Sequence, residues 1–239
     1  MIYKPYNLQD VYDASEQNKF KVISTFAGGG GSSTGYRLAG GKVLAVNEFV
    51  EEACNTYKEN YPETPILPGD IKELTGQHFL DVAGVKVGEI DILDGSPPCS
   101  AFSVAGKLSH NSIETEYLDF DGNVMTRKES GKHSDGWGQT KKYSDGKIVE
   151  NIEDLFFDFL RIADDIRPKV IIAENVKGLT VGEAKNYLNQ ILNKFEEIGY
   201  NVSYQVLDSR YFGVSQTRAR CIFVGVRQDI ADQVGLNFM

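Results

Sequence analysis

With 239 residues the chain is long enough for one large α/β domain with a full core, and its 41% hydrophobic and 25% charged content is ordinary for a soluble globular protein. No apolar run approaches the length of a membrane span, and the polar stretch Met1–Phe20 lacks the apolar centre of a signal peptide. A net charge of −9 has the wrong sign for a chain that grips nucleic acid over a wide surface by itself, although a local basic groove can hide in an acidic total.

The 3 cysteines, Cys54, Cys99 and Cys221, fit neither a zinc pattern nor a disulfide framework, which points to a reduced, cytoplasmic protein. After an N-terminal extension over 1–20, the run Lys21–Phe26 reads as a first strand. Ala27-Gly28-Gly29-Gly30-Gly31-Ser32-Ser33-Thr34-Gly35 follows, then a short helical run at Tyr36–Ala39. Strand, glycine loop and helix form the architecture of a nucleotide site. The dinucleotide spacing fails, because Ser33 or Thr34 stands where its third glycine belongs, and no Gly-Lys-Ser/Thr is present. The loop lets a ligand approach the backbone closely, but nothing in it asks for a phosphate.

Lys42–Asn47 reads as a second strand ending in Glu48, an acid placed to accept from a ribose diol. Phe49–Tyr61 reads as a helix closed by Pro62, with Cys54 in its core face. Ile66–Ile71 is a short third strand carrying Asp70, a second acid able to accept from an exocyclic amine. Singly, each acid reads as readily as a cap or a surface charge. Glu89–Asp94 is a fourth strand, stopped by Gly95, Pro97 and Pro98, with Cys99 beyond it. Ligands bind beyond the carboxyl ends of such strands, so Cys99 is a candidate nucleophile as well as a candidate core residue.

Lys107–Glu150 is long, polar and without periodicity, the pattern of a lid, a binding loop or disorder. His110, His133 and Trp137 fall in it and suggest no chemistry. Helices are expected at Ile152–Ile166 and Glu183–Ile198, and strands at Val170–Val176, Asn201–Leu207 and Cys221–Val226, with Cys221 inert packing. Gln216, Arg218 and Arg220 alternate, so an extended strand points them to one face, either lining a polar site or covering a solvent edge.

Phe26-Ala27-Gly28-Gly29-Gly30-Gly31, Glu48, Gly69-Asp70-Ile71, Pro97-Pro98-Cys99, Glu174-Asn175-Val176 and Gln216-Thr217-Arg218-Ala219-Arg220 follow one another in the order typical of the cytosine-5 DNA methyltransferases. The chain resembles that family over about residues 21–226. The resemblance implies a Rossmann-like α/β fold, a mostly parallel sheet with helices on both faces, and S-adenosylmethionine as cofactor. Phe26 would stack on the adenine, Glu48 would hold the ribose hydroxyls, and Asp70 would accept from the adenine amine, with Ile71 beside it. Ala27 and the four glycines would wrap the methionine part. Phe49, Gly95 and Pro97 complete the expected cofactor set.

The resemblance also implies the chemistry. The Cys99 thiolate would add to carbon 6 of a cytosine flipped out of double-stranded DNA, making carbon 5 nucleophilic. Glu174, with its carboxyl raised by burial, would supply a proton or hydrogen bond to ring N3. Arg220 would bind the cytosine O2, Arg218 would support it, and Asn175 would orient the loop. A transfer-RNA cytosine methyltransferase and a non-catalytic cofactor- or partner-binding fragment are the alternative readings.

Four departures from the family pattern stand out. Ser100 follows the cysteine where glutamine is common, and Ser24 stands where an acid often precedes Phe-Ala-Gly. The segment 107–150 exceeds the usual catalytic loop, and the chain stops at Met239. A target-recognition domain and a C-terminal motif that completes the cofactor site are therefore expected from a further segment or a second subunit.

Overall fold

A computed structural model describes residues 5–98, 112–118, 124–130, 155–181, 184–236 and 238. The chain forms two compact units, Met1–Pro98 with Asp154–Met239, and Cys99–Glu153. Among the described residues no helix is long and apolar enough to cross a membrane.

The first unit is built on one seven-stranded sheet: β1 (Lys21–Thr25), β2 (Lys42–Glu48), β3 (Ile66–Pro68), β4 (Ile92–Gly95), β7 (Val170–Val176), β8 (Tyr200–Asp208) and β9 (Ala219–Arg227). Its spatial order is β3-β2-β1-β4-β7-β9-β8. β3 to β7 are parallel neighbours, and β9 runs antiparallel between β7 and β8. The chain moves outward from β1 to β3, then returns to lay β4 on the other side of β1. That reversal opens a crevice at the β1/β4 carboxyl ends, the usual ligand position in open α/β sheets.

Helices cover both faces, as expected. On one face Val11 of α1 (Leu8–Ser15) and Tyr57 of α3 (Glu51–Asn60) form a core with Val22, Val43, Val46 and Tyr61. α2 (Gly31–Leu38) packs beside α1. On the other face α4 (Gly76–Ala83) packs against α5 (Leu155–Ile166). α5 buries Leu155, Phe156, Phe159, Leu160, Ile162, Ala163 and Ile166, the 3.6-residue stripe of a core-facing helix. Phe156 meets Phe195 of α6 (Ala184–Glu197) and Phe223 of β9 edge-on. α7 (Gln228–Val234) closes the unit against β9.

Several elements differ from the sequence reading. Residues 8–15, read as part of an extension, form α1. The cue is local: Asn7 Oδ1 accepts the Asp10 N–H at 3.1 Å and Asp10 Oδ2 accepts the Asn7 N–H at 2.8 Å, a capping box. α4 is likewise opened by a Thr75–His78 box and closed by left-handed Gly84. α2 begins at Gly31, five residues before the expected Tyr36, because Gly30 at φ 96° turns the loop directly into a helix. β3 stops at Pro68, since Gly69 at φ 104° breaks it and Asp70 caps a 3-10 turn at Ile71–Glu73.

In the second unit, the stretch read as a long loop contains a hairpin, β5 (Ser112–Leu118) paired antiparallel with β6 (Val124–Ser130). His110, His133 and Trp137 lie outside the described residues.

Candidate active site

Five parallel strands end on the same edge, and side chains tie those ends together. Where β1 stops, Phe26 turns left-handed at φ 52°, followed by Gly28 at 54°. A non-glycine residue held there costs about 1–3 kcal/mol and persists only where its surroundings over-determine it. Here Ser96 Oγ donates to the Phe26 carbonyl at 3.2 Å, and the Ala27 N–H donates to the Asn47 carbonyl at 3.1 Å, so both flanking strands hold the turn. A Cβ added at Gly30 would meet the Tyr61 and Tyr57 rings at 3.0 and 3.1 Å, so that side of the loop packs on α3 and the residue after it. A Cβ added at Gly28 or Gly31 would meet nothing within 4 Å. The loop is therefore unpacked at Gly28 and Gly31.

Glu48 is 8% exposed at the end of β2. Its Oε2 accepts the Gly28 N–H at 2.7 Å, and its Oε1 accepts the Phe49 and Val50 N–H groups at 2.9 and 2.8 Å. A carboxylate has about four lone-pair sites, so Oε2 keeps one for a hydroxyl. Asn47, which the sequence reading left without a role, is buried and donates from Nδ2 to the Leu67 and Gly69 carbonyls at 2.9 and 3.0 Å. It fixes the turn that presents Asp70. Asp70 is half-buried, with Oδ1 taken by the Lys72 N–H at 2.9 Å, and Ile71 is buried beside it. On α2, Arg37 reaches Thr64 Oγ1 at 2.6 Å and lies over the Tyr61 ring at 3.9 Å, so its charge is committed to packing.

At the β4 end, Gly95 and Pro97 are buried. A Cβ at Gly95 would meet both Phe159 Cε2 and Thr25 Oγ1 at 2.6 Å, so only glycine lets this strand end pass between α5 and β1. Asp94 precedes it, 7% exposed, its carboxyl pushed up by burial and partly held down by hydroxyl donors. The sequence reading took Asp94 only as the end of a strand; the signal was a charged residue inside an otherwise apolar buried run.

The third group lies on β7 and β9. Their antiparallel register pairs Val176 with Arg220 and Glu174 with Ile222, which makes Glu174 and Arg220 diagonal neighbours on one face. Arg220 Nε lies 2.8 Å from Glu174 Oε1, and Arg218 reaches the same oxygen at 4.0 Å. The Glu174 side chain is 34% exposed, so the burial expected around it is not present here. Gln216 and Arg218 precede β9 rather than alternating within it. They are held instead by Ser209, whose Oγ donates to the Gln216 carbonyl at 2.6 Å and whose N–H donates to the Arg218 carbonyl at 3.1 Å. Buried Asn175 donates from Nδ2 to the Pro97 carbonyl at 3.3 Å, joining β7 to the Pro-Pro turn. Cys99 lies outside the described residues. Cys221 is buried, its thiol pushed up to about 12 by burial and then by the Glu174 charge, in keeping with inert packing. Cys54 is half-buried on α3, and its Sγ donates to the Glu48 carbonyl at 3.5 Å.

The sequence profile of the C-5 cytosine-specific DNA methylases matches residues 20–130 and 139–236. The chain belongs to this family. Among curated relatives, the methylase is 30% identical to the type II methyltransferase M.NgoPII of Neisseria gonorrhoeae over 213 residues, 89% of this chain and 50% of that protein. It is 32% identical to M.Eco47II of Escherichia coli, over 91% of this chain and 42% of that protein. It is 33% identical to M.AquIA of a Picosynechococcus species, over 87% of this chain and 72% of that protein. The methylase thus spans about half the length of the first two relatives and nearly three-quarters of the third. Its fold is that of a solved protein described as a DNA modification methyltransferase encoded within a prophage (E. coli), with a TM-score of 0.64 at 21% identity over 92% of this chain and 51% of that one. A DNMT2 mutant of Spodoptera frugiperda superposes with a TM-score of 0.56 at 22% identity, over 88% of this chain and 51% of that one. These likenesses identify the S-adenosylmethionine-dependent methyltransferase fold.

Proposed function

We propose that this methylase transfers a methyl group from S-adenosylmethionine to carbon 5 of cytosine in double-stranded DNA. The observation that carries the reading is the junction of three motifs: Arg220 pairs with Glu174 at 2.8 Å while the next residue, Asn175, bonds the Pro97 carbonyl at 3.3 Å. Three motifs far apart in sequence are thereby joined, which supports the reading.

S-adenosylmethionine supplies the methyl group when bound. The crevice suits it: the open side of Gly28 and Gly31 leaves room against the backbone, and Glu48 retains an acceptor site on Oε2. Ala27, Gly28, Gly29, Gly30 and Gly31 would wrap the methionine part, while Phe26, Glu48, Asp70 and Ile71 would hold the adenosine, with Phe49, Gly95 and Pro97 completing the set. On the substrate side, Cys99 adds its thiolate to carbon 6 of a flipped cytosine, and Glu174 serves ring N3 with a proton or hydrogen bond. Arg220 binds O2, with Arg218 in support. Carbon 5 would take the methyl group; loss of its proton to solvent would then re-form the C5–C6 double bond and release the Cys99 thiolate from carbon 6.

Selection of the DNA sequence lies in polypeptide outside these 239 residues, a further segment or a second subunit. Support comes from the half of M.NgoPII and of M.Eco47II that the chain does not match, and from the acidic net charge of −9.

The test is trapping on duplex DNA carrying 5-fluorocytosine, whose fluorine cannot leave. The wild-type protein, supplied with S-adenosylmethionine, should form a covalent adduct that survives denaturation. Cys99→Ser should form none while still binding the cofactor. An adduct formed equally by Cys99→Ser would sink the assignment, and adducts on transfer RNA but not on DNA would transfer the activity to RNA.

A further inference from the structure

Asp94 is a buried carboxylate with no cation opposite it among the described residues. Ser24 Oγ and Ser32 Oγ both donate to Oδ2 at 2.8 Å, and the Tyr36 hydroxyl donates to Oδ1 at 3.0 Å. Three neutral donors soften the burial of a charge but do not neutralise it. The position is also specific. β1 and β4 meet at the topological switch point, and their register pairs Ser24 directly with Asp94. Ser24 is the position where the resembled family often carries an acid, and its direct partner on β4, on the same face of the sheet, is Asp94. Ser32 in turn follows Gly31, in the first turn of α2. The charge therefore sits under the junction of the glycine loop and the β4 end.

We propose that Asp94 supplies the negative charge by which this pocket favours the cationic sulfonium of S-adenosylmethionine over the neutral sulfur of the product S-adenosylhomocysteine. The inference rests on the function proposed above. The two ligands differ by one methyl group and one positive charge, and their other groups are shared. A buried charge acts through space at low effective dielectric, so Asp94 needs no contact with the ligand. Its action is to favour loading of the methyl donor and release of the spent product, and the methyl-transfer step itself is left to other residues.

The experiment is calorimetric binding of three ligands to the 239-residue chain: S-adenosylmethionine, S-adenosylhomocysteine, and the analogue with a protonated amine in place of the sulfonium. The wild-type chain should bind both cationic ligands more tightly than the neutral one. Asp94→Asn should lose about tenfold of that preference, with affinity for S-adenosylhomocysteine little changed. Asp94→Ser should lose it too, and the double exchange Ser24→Asp, Asp94→Ser should restore it by placing the carboxylate on β1, directly across the pair. Equal loss of all three ligands in the single variants would make Asp94 merely structural and overturn the proposal. So would an unchanged preference, or a wild-type chain that binds the neutral ligand as tightly as the cationic ones, a measurement that needs no variant. Failure of the wild-type chain to bind any of the three would instead overturn the cofactor reading itself.

Discussion

Glu48 Oε2 holds the Gly28 N–H at 2.7 Å across twenty residues of sequence, so the acid at the end of β2 shapes the glycine loop in addition to the ribose-binding role proposed for it. Glu48→Gln should therefore not be benign. An amide keeps one acceptor for the Phe49 and Val50 N–H groups but sets its NH2 against the Gly28 N–H, donor against donor. Leaving one such group unpaired costs about 1–3 kcal/mol. The expected result is a lower melting temperature in the absence of ligand together with weaker S-adenosylmethionine binding. A variant that loses affinity with an unchanged melting temperature would show that Glu48 acts on the ligand alone.

Gly95→Ala tests the packing beneath the Pro-Pro turn. The new Cβ would stand 2.6 Å from Phe159 Cε2 and from Thr25 Oγ1, and overpacking of this kind costs about 1–3 kcal/mol. For a chain of this size each kcal/mol lowers the melting temperature by roughly 2–4 °C. Thermal unfolding followed by circular dichroism measures the shift; an alanine variant as stable as wild type would mean that β4 does not end between α5 and β1.

The pH dependence of stability should carry the signature of Asp94. Burial raises its carboxyl above the ordinary value of 3.8, so between that value and the raised folded one the native chain holds more proton than the unfolded chain. Stability from this group therefore falls as pH rises through that window. The groups facing Asp94 are Ser24, Ser32 and Tyr36, and the tyrosine is itself pushed up by burial and by Asp94, so it does not titrate there. Asp94→Asn removes the titration. Its stability relative to wild type should rise from acid toward neutral pH in denaturant titrations, and a difference flat with pH would contradict a raised carboxyl.

Glu174→Gln keeps the shape of the side chain and removes its transferable proton. Single-turnover methyl transfer should fall about a hundredfold to ten-thousandfold, with S-adenosylmethionine affinity near wild type because the ion pair lies on the β7–β9 side. Rates near wild type would reduce Glu174 to a structural partner of Arg220.

The sequence by itself determined the parallel strands, the glycine loop, the acids at two strand ends and the family, because these are signals of period, composition and short-range order. Strand cores such as Val170–Val176 announce themselves by apolar runs, and the Pro-Pro-Cys turn by its backbone restrictions. α1 and α4 escaped the sequence reading, because their cues are the Asn7–Asp10 and Thr75–His78 capping boxes and not apolar periodicity. What only the tertiary structure decided was which polar groups meet. Ser24 and Asp94 are 70 residues apart, and nothing local marks them as partners until the β1–β4 register sets them side by side. Asn175 finds Pro97 across 78 residues for the same reason. The alternation of Gln216, Arg218 and Arg220 suggested one strand face, yet Ser209 holds the first two before β9 begins, and the β7–β9 register alone brings Arg220 to Glu174. Periodicity fixes which way a side chain points within its own element; which neighbour it meets depends on strand order and register, which come from burying the whole core at once.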